Sequence, residues 1–253
     1  MNYFFGLKSN FFTSQITVPR FQNRGDANLN YNLYELSIEN YLWSIKKLEN
    51  LEINDDFFLI TKDKIDNDKI FFLATEKDLN NFDKSKLTKL NSFTDSIPSY
   101  RANLKINLKG GGFSSYQSEY PHNMTLKKGT ILSSVSSMAN LDAEKNYVII
   151  KNIFTEPIKE KFNIFFVDIN NKKILDNVEI QTNYTNLIEI NKSLIKPEIF
   201  LVTDKYIGIP IFISEKKLHL SFEHTHPPHE YILSDDKFIK ITELKREINE
   251  IIN

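Results

Sequence analysis

Short apolar runs separated by turn residues place the strongest constraint on the fold of this chain. From about Arg101 onward, segments rich in Ile, Val, Phe and Tyr recur, and clusters of Asn, Asp, Lys, Gly or Pro separate them. Segments of this kind are typical of antiparallel strands joined by tight turns. We therefore predict a mainly β protein, an antiparallel β-sandwich.

Two pairs of neighbouring strands can be placed along this region. Residues 162–167 are apolar at nearly every position, and a polar turn at 168–171 leads into a second run at 173–180. This pattern predicts a hairpin with a buried first strand. A second predicted pair is 198–202 and 207–213. Pro210 cannot donate a ladder hydrogen bond, so we expect the second strand of that pair at an edge or with a bulge.

The C-terminus changes from a two-residue to a helical period. Apolar residues follow helical spacing there, and Ser234 or Asp235 can cap the first turn. The pattern predicts an amphipathic helix over about 236–251, packed on the sheet. The apolar positions are Phe238, Ile241, Leu244, Ile248, Ile251 and Ile252.

The first hundred residues are less regular and are predicted to be mixed α+β. Apolar positions from Ile38 to Leu48 suit one helical face, but residues 34–38 also alternate as a strand would, so both alternatives stay open. We expect an N-terminal region over 1–100 and a β-sandwich with its C-terminal helix over 101–253. The boundary is placed near 96–99, and 253 residues also fit one continuous domain.

The composition of the chain limits its classes of binding partner and the kinds of reactive group it can use. The 32 basic and 33 acidic residues nearly balance, which argues against a surface built mainly for nucleic acid or anionic lipid. The absence of cysteine excludes disulfides, thiolate ligands and thiol nucleophiles. The first residues lack the pattern of a secretory signal, and apolar runs fall well short of the roughly 20 residues of a membrane helix. We expect a soluble, cytoplasmic protein with no membrane or nucleic-acid partner.

Four of the five histidines lie between positions 219 and 229. His224, His226 and His229 are candidate ligands for one divalent ion, and zinc, iron or manganese are the metals considered. His-x-His on an extended segment sends two rings to the same side. Glu223 or Glu230 is predicted to add an oxygen ligand or to act as the catalytic proton acceptor. The alternative is a loop whose imidazoles bond to neighbouring backbone.

A glycine-serine segment over 109–122 is the second candidate site. Three of the chain's seven glycines lie together there, so its backbone either turns tightly or approaches a ligand closely. We expect substrate contacts from Gly111, Gly112, Ser114, Ser115 and His122. The segment lacks the spacing of a P-loop or of a dinucleotide fingerprint, and a glycine-rich turn or bulge is the alternative.

Two functional hypotheses follow from these segments. In the first, the protein is a metal-dependent enzyme that acts on a small polar or sugar-like substrate. In the second, it is a non-catalytic module that binds carbohydrate or protein through exposed aromatic and amide side chains, drawn from eleven tyrosines, Trp43 and abundant asparagine. The alternative for the aromatics is that they fill the core. The sequence leaves open whether the chain is an enzyme, and it does not indicate an oligomeric state.

Overall fold

The computed structural model describes residues 2–19, 31–49, 51–53, 57–80, 82–89, 101–224 and 235–253. The chain divides into two compact units and passes between them several times. The first unit contains Met1–Leu126, Ile153–Ile158 and Asn183–Thr185. The second unit contains Lys127–Asn152, Lys159–Thr182 and Asn186–Asn253.

The first unit is built from two antiparallel sheets within the described ranges. Sheet I has the strand order β10-β1-β7-β3-β4, and sheet II has the order β5-β6-β2-β8-β9. The single-turn helices α1 (Glu76–Leu79) and α2 (His122–Thr125) belong to the same unit. Its strands are β1 (Asn2–Phe4), β2 (Phe12–Pro19), β3 (Asn32–Glu39), β4 (Leu42–Lys47), β5 (Glu52–Ile53), β6 (Phe57–Ile60), β7 (Ile70–Ala74), β8 (Asn103–Leu108), β9 (Phe113–Gln117) and β10 (Glu119–Pro121).

A two-residue alternation in β2 and β8 places one face of sheet II in the core. Phe12, Ile16 and Val18 on β2 are buried, and so are Leu104 and Ile106 on β8. Ser14 is buried on the same face, whereas Thr13, Gln15, Thr17, Lys105 and Asn107 are less buried and face outward, as a pleated strand requires. Strands β2 and β8 therefore have a mainly apolar inner face and a polar outer face.

Two buried serines hold the segment that follows β1. The hydroxyl of Ser118 donates to the carbonyl oxygen of Phe5 at 2.6 Å and accepts from its amide at 2.9 Å. Ser14 makes the same pair of bonds with Leu7, at 2.6 and 3.0 Å. Because buried backbone groups are costly without partners, each serine allows an irregular piece of backbone to lie in the core.

The region from Ile38 to Leu48 resolves one alternative left open by the sequence. It forms the β3–β4 hairpin, with Glu39 opposite Leu42. Asn40 and Tyr41 occupy the turn with positive φ values of 50° and 60°. A two-residue turn of this handedness matches the twist of the flanking strands. The strand alternative is therefore observed and the helix is not.

The second unit also contains two antiparallel sheets among the residues described. Sheet III has the strand order β11-β16-β13-β14, and sheet IV has the order β15-β12-β17-β18. These sheets and helix α3 (Lys237–Ile252) confirm the predicted mainly β, sandwich-like class with a C-terminal helix. The strands are β11 (Leu132–Ser134), β12 (Lys145–Asn152), β13 (Lys161–Asp168), β14 (Lys173–Gln181), β15 (Tyr184–Ile190), β16 (Ile199–Thr203), β17 (Ile209–Lys216) and β18 (His219–His224). The first two residues of β15 belong to the first unit.

The predicted hairpin at 162–180 is confirmed. Strands β13 and β14 pair in antiparallel register from Lys161 opposite Gln181 to Asp168 opposite Lys173, with an irregularity between Phe166 and Val167. Residues 164–168 are all buried, which means that both faces of β13 are covered. This explains why its sequence is almost continuously apolar.

Helix α3 covers one face of sheet III. Ile248 is buried in a cluster with residues of three strands, and Leu244, Ile251 and Ile252 pack against the same cluster. The predicted amphipathic helix on a sheet is therefore confirmed. Asp236 precedes its first residue, one position after the predicted cap Asp235, and Ser234 lies outside the described residues. The strand residues of the cluster are Leu132, Phe165, Val167 and Val202.

The predicted pairing of 198–202 with 207–213 is wrong. Strand β16 lies in sheet III between β11 and β13, whereas β17 lies in sheet IV between β12 and β18. The residues between β16 and β17 carry the chain from one sheet to the other, a connection common in sandwiches. Pro210 is the second residue of β17 and pairs with Ile150, and the pairing with β18 begins only at Ile211. The strand is thus central, and its proline stands at one end of it.

The predicted division near residue 100 stays a prediction, because 96–99 lies outside the described residues. Strands β8 and β9 belong to the first unit, together with β1 to β7.

We predict that Ile248→Ala lowers the free energy of unfolding by about 2–5 kcal/mol, because it leaves a cavity between α3 and sheet III. Ile239→Ala on the same helix is the matched control. Ile239 is 63% exposed whereas Ile248 is 0% exposed, so the control should stay within about 0.5 kcal/mol of wild type. Urea unfolding measures both. Equal losses in the two variants would contradict the packing of α3 described above.

Candidate functional site

The outer face of sheet II carries a regular array of polar side chains. The antiparallel registers of β2 with β8 and of β8 with β9 align three positions from each strand in three rows. Every one of these side chains is half-buried or exposed. We call these nine positions the polar array, and its rows are Thr17–Asn103–Gln117, Gln15–Lys105–Ser115 and Thr13–Asn107–Phe113.

The spacing of the polar array follows from sheet geometry. Neighbouring strands lie about 4.8 Å apart, and alternate residues of one strand lie about 7 Å apart. The nine positions therefore cover roughly 10 by 14 Å. This area suits a ligand of a few linked rings.

The uncharged polar side chains of the array are free for external hydrogen bonds. Within the described part of the chain, none of them makes a side-chain hydrogen bond or an ion pair. Their amides and hydroxyls together supply donors and acceptors. In the absence of a ligand these groups bond to water, which a polar ligand can replace. The residues are Thr13, Gln15, Thr17, Asn103, Asn107, Ser115 and Gln117.

Lys105 and Phe113 form the remaining pair of the array. The Nζ atom of Lys105 lies 3.9 Å from the centroid of the Phe113 ring, within the range of a cation–π contact. Phe113 is 60% exposed. The contact holds a lysine over an exposed aromatic ring, and the other eight positions of the array are uncharged.

The predicted glycine-serine segment forms the turn between β8 and β9. The amide of Leu108 donates to the carbonyl oxygen of Gly112 at 3.0 Å, and the amide of Gly111 donates to the carbonyl oxygen of Leu108 at 3.1 Å. Gly110 has a φ of 75°, which favours glycine. The glycine-rich turn considered as an alternative is therefore observed. Gly111 and Gly112 lie in it, beside the array residue Phe113.

The two predicted serines of this segment lie on opposite faces of β9. Ser115 pairs with Lys105 on the outer face and belongs to the polar array, whereas Ser114 pairs with Ile106, whose side chain is buried on the inner face. Because neighbouring residues of a strand point to opposite faces, the two hydroxyls do not meet on one ligand.

A buried carboxylate fixes the ends of β8 and β9 away from this turn. One oxygen of Glu119 lies 2.7 Å from Nη1 of Arg101, and the other accepts from the amide of Ala102 at 3.0 Å. The amide of Ser118 donates to the carbonyl oxygen of Ala102 at 3.0 Å. These bonds and the turn hold the register of β8 with β9 from both ends.

His122 is placed on α2 and not on β8 or β9. Its Nε2 atom lies 3.3 Å from the carbonyl oxygen of Leu87, and its ring centroid lies 6.3 Å from that of Tyr3. Burial lowers the pKa of His122 below its ordinary value of 6.5, and the hydrogen bond to Leu87 opposes this effect. The imidazole is thus a partly buried group that bonds to backbone.

Glu223 and His224 end strand β18, at the edge of sheet IV. His224 is half-buried on the same side of the strand as the buried Phe222, whereas Glu223 is exposed on the opposite side. The side chains of Glu223 and His224 therefore leave the strand in opposite directions. His226, His229 and Glu230 lie outside the described residues.

Among the residues described, no three His, Asp or Glu side chains come together as a metal site requires. The helices in the described ranges are all too short or too polar to cross a bilayer.

Most of the large aromatics lie in the core. Trp43 is fully buried, and its Nε1 atom donates to the carbonyl oxygen of Thr155 at 2.9 Å. Tyr3, Tyr120 and Tyr206 are buried as well. The idea that Trp43 and the tyrosines build a sugar-binding surface is therefore wrong for these residues, because they fill the interior.

Comparisons with protein families, with curated proteins and with solved structures find no match to this chain. The chemistry of the described residues therefore carries the functional argument.

Sequence reasoning identified only one member of the polar array, Ser115. A signal for some of the others was present, since polar residues alternate with apolar ones over 15–18 and 103–107. The pattern shows that each strand has a polar face. It does not show that two strands about ninety residues apart lie side by side.

We predict that His122 makes the protein less stable as the pH falls. Because the folded-state pKa lies below 6.5, the unfolded state takes up the proton more readily, and the free energy of unfolding decreases as the pH drops below that value. The decrease should level off below the folded-state pKa. His122→Gln should lose this part of the pH dependence. NMR titration of the imidazole and unfolding at several pH values measure both effects, and a folded-state pKa of 6.5 or above would contradict the prediction.

Proposed function

We propose that this protein is a non-catalytic carbohydrate-binding module and that the polar array on sheet II is its binding face. One observation carries the proposal: seven uncharged amide and hydroxyl side chains, with no bonds to the described residues, share one sheet face with an exposed aromatic ring. Sugars present hydroxyls on their edges and C–H groups on their faces. The array offers partners for both.

A glycan fits this face better than a protein does. The buried centre of a protein interface is enriched in aromatic residues, Met and Arg and depleted of Ser. In the polar array Phe113 is the single aromatic residue, and the centre is Lys105 between Gln15 and Ser115. Such a face gains little from apolar contact and depends on hydrogen bonds.

Affinity for a single oligosaccharide should be weak. Each net hydrogen bond contributes about 0.5–1.5 kcal/mol, so a few bonds and one ring contact correspond to roughly millimolar binding. A long chain that presents the same repeat many times raises the apparent affinity. The cytoplasm remains the predicted compartment, where a sugar polymer or its precursor would be the ligand.

We predict that the triple variant Gln15→Ala, Asn103→Ala, Asn107→Ala loses at least about tenfold in affinity, since it removes three amides at about 0.5–1.5 kcal/mol each. Phe113→Ala should also weaken binding, because it removes the ring that contacts a sugar face. Binding is measured by a broad glycan array and by affinity electrophoresis in gels that contain polysaccharide.

The control is Asn177→Ala, which removes an exposed amide from β14 in the second unit. It should bind as wild type does. Binding that survives in the triple variant, or that is lost equally in the control, would show that the polar array is not the site. Absence of binding to every glycan tested would overturn the proposed function.

A divalent-metal site at the end of β18 is the second candidate function. The supporting observation is His224, the last described residue of an edge strand, whose half-buried side chain lies on the same face as Phe222. His226 follows at the spacing that sends two rings to one side of an extended segment. If the site is catalytic, Glu230 is the better proton acceptor, because Glu223 leaves β18 on the opposite face.

We predict that tag-free protein binds about one equivalent of zinc, iron or manganese, as the stoichiometry of one three-histidine site implies. The double variant His224→Ala, His226→Ala should lose it, because two of the three ligands are removed. His219→Ala is the matched control, since His219 lies on the opposite face of the same strand. Elemental analysis after dialysis measures the content. Metal retained by the double variant, or absent from wild type supplied with these ions, would rule out the site.

A further inference from the structure

We infer that the ligand of the polar array is an acidic glycan that carries isolated carboxylates along its chain. This inference rests on the proposed function, and it adds the charge of the sugar to it. The carrying observation is Lys105, the single charged residue among the nine array positions, which lies in the middle row on the middle strand.

The position of Lys105 makes it a recognition group. Gln15 lies opposite it on β2 and Ser115 lies opposite it on β9, so hydrogen-bonding residues flank its position on the sheet on both sides. Within the described residues it takes part in no ion pair, although oppositely charged neighbours neutralise other lysines of the unit, as Asp66 does for Lys8 at 2.8 Å. Its positive charge is therefore available to a ligand.

The contact with Phe113 directs this charge. With Nζ held 3.9 Å from the ring centroid, the lysine loses part of its conformational freedom before a ligand binds. A carboxylate that bonds to Nζ brings its sugar ring next to Phe113. The same pair can thus contact the acidic group and the apolar face of one sugar.

The number of charges selects among polyanions. Nucleic acid and highly sulfated chains carry closely spaced charges, and proteins bind them by neutralising several at once. The array offers one lysine, and the next lysine along the chain is Lys109, which is exposed in the adjoining turn. One fixed cation among uncharged amides matches a chain with one carboxylate per two sugars. The sugar hydroxyls of such a chain can then form hydrogen bonds with the amide side chains of the array.

A pair of polymers that differ only in charge tests this inference. Hyaluronan carries one carboxylate per disaccharide, and its carboxyl-reduced form has the same backbone without the charge. We expect wild type to prefer hyaluronan by about tenfold, the scale of one charge-assisted hydrogen bond, with the preference weakening as salt is added. Lys105→Gln should bind both forms equally, and Lys105→Arg should keep the preference. Calorimetry and affinity electrophoresis measure the binding.

The outcomes separate the inference from the proposed function. Equal binding of both polymers by wild type would overturn the inference and leave a neutral-glycan module in place. A preference that persists in Lys105→Gln would also overturn it, since another cation would then be responsible. Tighter binding to heparin or to single-stranded DNA than to hyaluronan would identify a dense polyanion as the ligand. That result would also overturn the inference. If no polysaccharide binds at all, the inference and the proposed function fail together. Thermal melting of both variants checks that they fold.

Discussion

The antiparallel register of β2, β8 and β9 is the constraint on which both the core and the candidate site of the first unit depend. The same alternation that buries Phe12, Ile16 and Leu104 turns Gln15 and Lys105 outward. A shift of one residue in the pairing of β2 or β8 would exchange the two faces of that strand and expose its core residues. The turn at Gly110 and the bonds of Glu119 fix the register of β8 with β9 at opposite ends of these two strands.

Local patterns in the sequence predicted several elements of the fold. The apolar run at 162–167 predicted a buried hairpin strand, and the spacing from Phe238 to Ile252 predicted the C-terminal helix, because burial on a sheet and on one helical stripe leaves distinct periods. These patterns do not show which strand pairs with which. Strands β16 and β17 follow one another closely in the chain and still lie in different sheets, since a sandwich gains more by covering two faces than by extending one.

The candidate site shows the same limit. Clusters of glycine or histidine in a sequence suggest a binding site. The glycines at 109–112 instead form a hairpin turn. Polar residues such as Thr13 or Asn107 are common on any surface, so their individual identities predict nothing. Their functional meaning depends on a shared sheet face and on the lack of side-chain hydrogen bonds to the described residues, and both are properties of three aligned strands. The histidine segment after β18 stays a prediction, because most of it lies outside the described residues.

The packing of α3 on sheet III affects how the second unit is made. The helix follows every strand of that sheet in the chain, so the ribosome delivers Ile248 only after β11, β13, β14 and β16 have emerged. Until then Phe165 and Val167 lack the cover that α3 provides, and a nascent chain in this state exposes an aggregation-prone surface. Premature termination before the helix would leave that surface permanently open. Such fragments should be substrates for chaperones and proteases.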